Sequence, residues 1–390
     1  MEAVKRFGKR YLPPKIKQWL KGMIIRYNID FGAKSAQTQQ AIKLQDQYDL
    51  EALRAARKIV VFLVPNDGEI SGGLLSIFHF VDFTRELLDD GYCIISTVPG
   101  RYTYAQNLTF KNSEQIFRWE QIASNCSQCQ ELVVHIPEYF AEFFYGSLSR
   151  NDIEFLRGVP KFRINILNQN IDYMPKPDKL MTLRYLTDCV SQSAGFERYA
   201  TQEVCNTFKM PLYYIPSYIN LEHCIVKEFT EKKKLILFSN DQNLDKRQIL
   251  SKLQDEFYDY EIREIQGFSY EEYLELMSEA QFCISFGEGF DGYYIQPYYA
   301  NGIGISVYND RFFPNPAIQD FPFVYASFDV MFERVYDDIR SVKDQQDKYE
   351  AVVNRVYSYL TENINHSGKT AAGLEKYYEN TADYYPKDNQ

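Results

Sequence analysis

The stretch from Phe282 to Asn309 constrains the fold most, because it has the pattern of one complete unit of a parallel α/β sheet. An apolar run is followed by a glycine-rich loop, a helix-length segment, Gly302 and a second apolar run. Ligands of such sheets bind at the carboxyl ends of the strands. Gly287 and Gly289 lie at that point, where the lack of a Cβ lets a backbone approach a ligand closely. The helix that follows offers its N-terminal N–H groups to an anion.

Similar units recur along the chain in two successive series. Buried-strand patterns occur at residues 58–65, 92–98, 131–136, 162–167, 186–190 and 213–219, and again at 234–238, 260–265, 282–286 and 303–308. The series are separated near residues 216–222, and a helical stretch follows at 328–359. With 390 residues, the chain is long enough for two domains. The pattern therefore predicts an α/β protein with two parallel sheets.

Charge is distributed unevenly along the chain. The net charge is −10, whereas the first thirty residues contain eight Lys or Arg and only two Asp or Glu. The remainder is therefore strongly acidic, which argues against nucleic acid as the main partner. Within residues 1–30, apolar residues recur at helical spacing between the cations, and such a helix either lies on an anionic membrane surface or packs on the protein itself.

No signal peptide and no apolar run of about 18 residues is visible, so we expect a cytoplasmic protein, peripheral on the membrane if residues 1–30 bind it. The seven cysteines are scattered and odd in number, which argues against a disulfide framework. Cys126 and Cys129 form a single CxxC without a second pair, so a zinc or redox site is not expected there.

Polar and glycine residues follow two strands of the first series, where a ligand cleft is expected. Gly72 and Gly73 come after the first strand and precede a helix, an arrangement suited to phosphate, although a Gly-Gly turn is most often only a turn. His135 and Glu138 lie at the end of the strand at 131–136 and are candidate catalytic groups. For His135 the alternative is a hydrogen-bonded histidine of the core.

The loop of the second series resembles the donor loop of GT-B glycosyltransferases, in particular the retaining family-4 enzymes and their rhamnosyltransferase-like members in bacterial polysaccharide synthesis. Glu288-Gly289-Phe290 matches the start of their Glu-Gly-Phe-Gly pattern. Their second glutamate, eight positions further on, is replaced here by Gln296.

Other positions of the chain resemble the same family in the same order. Gly72-Gly73 resembles the glycine pair that meets the donor diphosphate. After the first strand of the second series, the family usually has Gly-Arg and then a lysine that both grip the diphosphate. This chain has Ser239 and Asn240 at the strand end, which leaves Lys246 or Arg247 to supply the cation.

The resemblance implies a GT-B fold, with two Rossmann-like domains and a C-terminal helix that crosses back. We divide the chain into a basic leader and linker helix (residues 1–56), an acceptor domain (57–218), a nucleotide-sugar donor domain (219–345) and a crossover helix with the tail (346–390). The resemblance also implies that Glu288 approaches the donor sugar and that Gln296 holds the ribose. Gly287, Gly289 and Phe290 would then shape the donor site.

The resemblance further implies transfer of a sugar, of the hexosyltransferase type, from a nucleotide-sugar donor to a glycan or lipid-linked acceptor in bacterial surface polysaccharide synthesis. Retention of configuration is implied by the resemblance alone. No Asp-x-Asp motif is evident, so we expect no metal ion and no cofactor. Two alternatives stay open: a sugar-nucleotide epimerase, and a non-catalytic GT-B subunit that binds a glycan or a partner enzyme, which Asn240 and Gln296 favour.

Overall fold

The computed structural model describes residues 42–65, 72–100, 115–241, 243–268, 270–363 and 366–387. The leader at residues 1–30 lies outside these ranges, so its proposed membrane helix remains a prediction. In the part of the chain that the structure describes, no helix is both long enough and apolar enough to cross a membrane.

The described residues form two compact units. One contains the described residues up to 218 together with those from 366 onward, and the other contains residues 219–363. Each unit has its own parallel sheet and its own apolar core.

The first unit has a seven-stranded sheet in the order β3–β2–β1–β4–β5–β6–β7, with all neighbouring strands parallel. Its strands are β1 (Lys58–Val64), β2 (Tyr92–Thr97), β3 (Ile116–Phe117), β4 (Glu131–Pro137), β5 (Lys161–Asn168), β6 (Val190–Ala194) and β7 (Leu212–Tyr214). Its helices are α1 (Glu51–Ala55), α2 (Gly72–Leu87), α3 (Trp119–Asn125), α4 (Glu138–Ala141), α5 (Phe144–Ser147), α6 (Arg150–Gly158), α7 (Gln202–Phe208) and α13 (His366–Tyr378). Short 3-10 helices lie at Ile171–Tyr173, Pro177–Tyr185 and Glu197–Tyr199.

The second unit has a five-stranded parallel sheet in the order β12–β11–β10–β8–β9. Its strands are β8 (Lys233–Phe238), β9 (Glu261–Glu264), β10 (Ala280–Ile284), β11 (Ile303–Val307) and β12 (Val324–Tyr325). Its helices are α8 (Lys246–Glu256), α9 (Tyr270–Glu279), α10 (Gly292–Tyr299), α11 (Phe328–Val342) and α12 (Gln346–Asn363), with 3-10 helices at Phe229–Glu231 and Pro316–Asp320.

The central strands are apolar because helices cover both faces of a parallel sheet. Ile59 through Val64 of β1 are all fully buried, and so are Ile305 of β11 and Ile284 of β10. Continuous apolar runs of this kind are what the sequence showed at 58–65 and 282–286.

The C-terminal helix returns to the first unit, but later than residue 346. Tyr349 and Val353 of α12 pack in the core of the second unit, so this helix stays there. Helix α13 is the element that belongs to the first unit: the backbone carbonyl of Tyr377 accepts a hydrogen bond from Arg163 (3.4 Å). After α13, Tyr384 pairs with Leu212 of β7 in an antiparallel bridge.

One predicted strand is displaced. The sequence pattern at 186–190 predicts a strand that leads into a polar loop, whereas β6 covers Val190–Ala194 and contains those polar residues. The Ser191 hydroxyl donates to the carbonyl of Ile164 (3.3 Å), and the Ser193 hydroxyl to that of Ile166 (3.3 Å). These hydroxyls can be buried in a strand because the neighbouring strand supplies acceptors.

Each sheet has one switch point, where the direction in which successive strands are added reverses. It lies between β1 and β4 in the first unit and between β8 and β10 in the second. In open α/β sheets the crevice for a ligand lies outside the carboxyl ends of the strands at such a point. The loops after β1, β4, β8 and β10 are therefore where function is expected.

Candidate functional site

Ser239 fastens the two strands at the switch point of the second unit. Its N–H donates to the carbonyl of Ile284 at the end of β10 (3.0 Å), and its hydroxyl accepts from the N–H of Phe286 (2.9 Å). Ser239 is fully buried. The sequence predicts that it contacts a donor, whereas in the structure it holds the turn after β8 against the loop after β10. Asn240, the next residue, is exposed.

Lys246 is engaged by its own protein. Its ammonium group donates to the carbonyls of Ser239 (2.7 Å) and Asp241 (3.3 Å) and pairs with Glu264 (3.0 Å). It also lies 4.8 Å from the centre of the Phe238 ring, within cation–π distance. Lys246 therefore fixes the turn after β8, and the predicted contact with a diphosphate would compete with these bonds. Arg247, in the first turn of α8, is exposed.

Asp241 is the residue of this site that the sequence reasoning missed. A Cβ on Gly287 would lie 2.6 Å from the Asp241 Oδ2 atom, so the carboxylate occupies the space beside that glycine. The signal was present, since Asp241 comes three residues after the end of a buried strand. The family resemblance points to a cation in this region, whereas Asp241 is an anion.

Asp291 begins α10 and shapes the loop from the other side. Its carboxylate accepts from the N–H of Tyr294 (3.1 Å), which caps the helix, and from the Ser285 hydroxyl (2.6 Å). Burial raises the pKa of Asp291 to about 6, and the nearby charge of Asp241 acts in the same direction. The first free N–H groups of α10 are thus partly taken by a side chain of the same loop.

Glu288 lies between the two glycines of the loop and is partly buried. Gly289 has φ +91°, and a Cβ there would lie 2.5 Å from the carbonyl oxygen of Val307. The carbonyl of Gly289 accepts from the Ser306 hydroxyl (2.8 Å). Gly289 is therefore required by the turn and by the packing of its own chain, rather than by the approach of a ligand as the sequence suggested.

Phe290 also faces inward. Its side chain is buried against Tyr294 and Phe313, with ring centres 6.0 Å and 5.1 Å away. It anchors the loop on α10, so a direct contact with a donor, as the resemblance implied, is not what this geometry favours.

Gln296 is buried and bonded at both ends of its amide. Its Oε1 atom accepts from the Tyr273 hydroxyl (2.7 Å), while its Nε2 atom donates to the carbonyl of Asn220 (3.2 Å) and to the Tyr270 hydroxyl (3.4 Å). An amide suits these partners because one of them, the Asn220 carbonyl, can only accept. The ribose contact implied by the resemblance would require these bonds to break.

A pocket of about 270 Å³ opens beside the loop. It is lined by residues that follow β10, by the end of β11 and the residues after it, and by the start of α11: Ser285, Gly287, Val307, Tyr308, Asn309, Asp310 and Phe328. Its volume is close to the lower end of the range for small-molecule sites, ~300–1,000 Å³. Hydroxyl, amide and carboxylate groups beside an aromatic ring are chemistry that suits a polyhydroxylated ligand.

In the first unit, Glu138 lies at the switch point and is buried. Its carboxylate accepts from the backbone N–H groups of Gln169 (3.3 Å) and Asn170 (3.1 Å), which come directly after β5. Burial raises the pKa of Glu138 to about 7, against these hydrogen bonds, which lower it. Glu138 thus holds the loop after β5 and is also poised to exchange a proton near neutrality.

Gln169 joins this loop to the glycine pair. Its Nε2 atom donates to the carbonyl of Gly73 (3.2 Å), whereas its Oε1 atom is buried and has no hydrogen-bond partner among the residues that the structure describes. A Cβ on Gly72 would meet nothing within 4 Å, and one on Gly73 would make only ordinary contact with Gln169. Among the described residues, a buried acceptor without a hydrogen-bond partner therefore lies near the start of α2.

His135 is not at the cleft; it is a residue of the core, which was the alternative considered from the sequence. It is fully buried in β4, with its ring stacked 4.2 Å from that of Phe62. Asn165 Nδ2 donates to its Nδ1 atom (3.2 Å), which leaves Nε2–H to donate to the Tyr378 hydroxyl (3.1 Å). Burial lowers the pKa of His135 to about 3, so it is neutral and has no access to a substrate. Sequence reasoning could not see that α13 would cover it.

Among the described residues, no group of three or more His, Cys, Asp or Glu side chains is arranged to hold a metal ion. Cys126 and Cys129 are buried thiols, and burial raises the pKa of Cys126 to about 12 and that of Cys129 to about 11.

Comparison with known proteins gives structural matches but no sequence matches. No protein-family model matches the chain, and no curated protein matches it. Among solved structures, an α-glucosyltransferase in complex with UDP-glucose and DNA containing an abasic site is 9% identical, with a TM-score of 0.55 over 84% of this chain and 100% of the other. A glycosyltransferase from Rickettsia africae is 11% identical, with a TM-score of 0.52 over 83% and 98% of the two chains. Sucrose-phosphate synthase from Thermosynechococcus elongatus is 9% identical, with a TM-score of 0.50 over 83% and 99%.

These matches cover more than four fifths of this chain and nearly the whole length of the matched proteins. The chain therefore has the GT-B fold, with a C-terminal helix that returns to the first unit, as the sequence resemblance predicted. At identities near one in ten, the likeness establishes the fold and leaves the activity to be argued from the site.

Proposed function

We propose that this protein is a glycosyltransferase that moves a sugar from a nucleotide-sugar donor to a glycan or lipid-linked acceptor. The observation that carries the proposal is the site of the second unit. There the Glu288 loop follows β10 at the switch point and borders a pocket of about 270 Å³ that contains both polar and apolar groups. Ligands of α/β sheets bind at this position, and the solved structures of the same fold include complexes with UDP and UDP-glucose.

In this proposal, the second unit binds the donor and the first unit binds the acceptor. Glu288 contacts the donor sugar, and the hydroxyl and amide groups of the pocket orient it. In the first unit, Glu138 is the candidate acid–base group because its pKa of about 7 suits proton transfer near neutral pH. Retention of configuration, membership of family 4 and independence of a metal ion belong to the same proposal.

For the acceptor, we propose a glycan of a bacterial surface polysaccharide or its lipid-linked precursor. The net charge of −10 disfavours DNA, although DNA is present in the complex of the α-glucosyltransferase of similar fold. The basic residues 1–30 would hold the enzyme at an anionic membrane surface, where a lipid-linked acceptor is found.

A second candidate is a non-catalytic GT-B subunit that binds a glycan or a partner enzyme. It is favoured by the internal bonding of Lys246 and Gln296, because both side chains are already saturated by protein groups. Such a subunit has no need to bind a nucleotide, whereas a transferase does.

The test is a thermal-shift screen of the full chain with UDP, GDP, dTDP, CMP and ADP. A ligand at about 100 times its dissociation constant adds ~2.7 kcal/mol to stability, which corresponds to several degrees in Tm. If the protein is a transferase, one of these nucleotides should raise its Tm, and so should the sugar derivative of that nucleotide. Glu288→Gln should weaken binding of the sugar nucleotide more than that of the free nucleotide, because the carboxylate contacts the sugar. If no nucleotide at millimolar concentration stabilises the protein, the non-catalytic subunit replaces the transferase as the proposed function.

A further inference from the structure

Strand β7 lies at one edge of the seven-stranded sheet. The carbonyl of Pro211 and the N–H of Ile215 bond to β6. The backbone groups of the alternate residues, Leu212 and Tyr214, therefore point away from the sheet. Unpaired groups of this kind make an edge strand a template for another extended chain. Here residues 380–387, which follow α13, supply their partners.

The segment 380–387 pairs with β7 as a short added strand. Tyr384 exchanges both backbone hydrogen bonds with Leu212, at 3.0 and 3.1 Å, in an antiparallel bridge. The N–H of Tyr214 donates to the carboxylate of Asp383 (2.7 Å). Two successive residues of the segment thus satisfy the outward N–H groups of both edge residues and one outward carbonyl.

Side chains of α7 bind the same segment. Gln202 donates to the carbonyl of Tyr385 (2.8 Å). Asn206 accepts from the N–H of Lys387 (3.0 Å). The Tyr384 side chain packs against an apolar cluster formed by Ala194, Ala200, Cys205 and Leu212. The edge of β7 therefore recognises the segment through its backbone, one carboxylate and one aromatic ring.

A single turn returns the segment to β7. Asn380, directly after α13, has φ +60°, in the left-handed region. The N–H of Thr381 closes the turn by donating to the carbonyl of Lys376 (2.9 Å), as at many helix ends. The bonds to β7 come from Asp383 and Tyr384, beyond the turn. The same bonds can therefore form with the β7 edge of another molecule when the turn opens.

We propose that the edge of β7 is an interaction surface for a second copy of this chain, and that two copies associate by exchanging their segments 380–387. The contacts made within one chain are then made between two chains, so the surface fits this occupant without any new interaction. Exchange of an identical element is a low-cost route to a dimer, and the loop that returns the element controls it. The association does not depend on the proposed function.

The wild-type chain should exchange its segment only at high concentration. A short connection holds a segment near its own site at an effective concentration in the millimolar range. A second copy competes only as the protein concentration approaches that range. Strain in the turn of Asn380 lowers this threshold, because the strain is present in the closed chain and is relieved in the exchanged dimer.

The test is sedimentation velocity of the full chain between about 5 and 500 µM. Asn380→Val should dimerise, because a β-branched residue is strained at positive φ. The strain weakens the closed turn roughly tenfold to a hundredfold, so dimer should appear at about 10–100 µM. Asn380→Gly is the matched control: it also loses the side chain that accepts from Arg163, but glycine adopts positive φ freely. It should stay monomeric over this range.

A second substitution tests whether the dimer uses the edge of β7. When Tyr384→Pro is added to Asn380→Val, the segment loses the N–H that donates to the Leu212 carbonyl, so the chain should be monomeric. Tyr384→Ala in the same background keeps that N–H and should still dimerise, at a higher concentration because the ring packing is lost. A cooperative thermal transition shows that each variant is folded.

Dimerisation of Asn380→Val that is absent from Asn380→Gly and abolished by Tyr384→Pro supports the exchange. A folded Asn380→Val chain that stays monomeric at about 500 µM overturns it. Dimerisation that persists in the Tyr384→Pro background overturns it as well, because the association then uses another surface. If Asn380→Val does not fold, Asn380→Ala, which has a smaller side chain at the same positive φ, takes its place with the same outcomes.

Discussion

Gln296→Glu introduces the residue that the donor loops of the resembled family have at this position, and the structure predicts that it harms the fold. The amide donates to the Asn220 carbonyl at 3.2 Å and accepts from the Tyr273 hydroxyl at 2.7 Å in a buried setting. A glutamate places a carboxylate oxygen against that carbonyl, so one bond is lost and a charge is buried.

The expected cost can be worked from these contacts. Loss of the bond to Asn220 with its carbonyl left unsatisfied costs about 1–3 kcal/mol, and burial of the charge adds several more. The Tyr273 and Tyr270 hydroxyls can both donate to the carboxylate, which offsets part of this because bonds to charged groups are stronger. We expect a net loss of about 2–3 kcal/mol at pH ~8, or roughly 4–12 °C in Tm for a unit of this size.

The effect should depend on pH with a defined sign. The introduced carboxyl has a higher pKa in the folded than in the unfolded protein, so the folded state is favoured while the group is protonated and loses that support as pH rises through the folded-state pKa. A protonated glutamate can donate to Asn220, as the amide does. Relative to wild type, Gln296→Glu should therefore be nearly as stable below about pH 4.5 and clearly less stable at pH 8.

The assay is thermal or urea unfolding at both pH values, with Gln296→Met as the control that removes the same bonds without a charge. Gln296→Met should be destabilised by a similar amount at both pH values. If Gln296→Glu is as stable as wild type at pH 8 and binds a nucleotide more tightly, the side chain at position 296 can leave its protein partners. That result would refute the prediction that its hydrogen bonds to Tyr273 and Asn220 stabilise the fold.

Five further variants, two of them controls, probe the other structural assignments. His135→Phe should lower stability at pH 7 by about 2–3 kcal/mol through its lost hydrogen bonds. The pKa of His135 is about 3 in the folded protein and ~6.5 in the unfolded protein, so wild-type stability falls as pH drops below 6.5, by about 5 kcal/mol at most. This part of the acid denaturation curve should be absent from the variant. Gly289→Ala should cost more than about 2 kcal/mol because of its positive φ and its contact with a carbonyl, whereas Gly72→Ala should be neutral or slightly stabilising in the same Tm measurement. Lys246→Met should lower the ligand-free Tm by several degrees, because the hydrogen bonds that hold the turn after β8 are lost. Arg247→Met should leave the Tm unchanged, because Arg247 is exposed. Equal Tm values for the two variants would show that Lys246 does not hold the turn.

The strand patterns, the order of the units and the two-domain fold could be predicted from the sequence. Runs such as Lys58–Val64 and Ala280–Ile284 are apolar because both faces of a parallel sheet are buried, and this requirement is local to each strand. The glycine loop with Glu288 could also be located, because parallel topology puts the loop after a strand at the ligand edge whatever its partners are.

The partners of the site residues could not be predicted. Lys246, Gln296 and Phe290 were expected to meet a donor, and each is instead engaged by a residue far away in the sequence or on another element: Glu264, Asn220 and Phe313. Hydrogen bonds and ring contacts between such distant residues depend on where the elements pack, which one-dimensional patterns do not contain.

The sequence alone determined that this protein is a parallel α/β molecule, and it located the candidate ligand loops after β1, β4, β8 and β10. Tertiary structure decided which polar residues remain for a ligand. It buried His135 beneath α13, turned Glu138 toward the N–H groups after β5 and set Asp241 beside Gly287. The reason is that burial and hydrogen-bond saturation are properties of the packed molecule, whereas periodicity and strand ends are properties of the sequence.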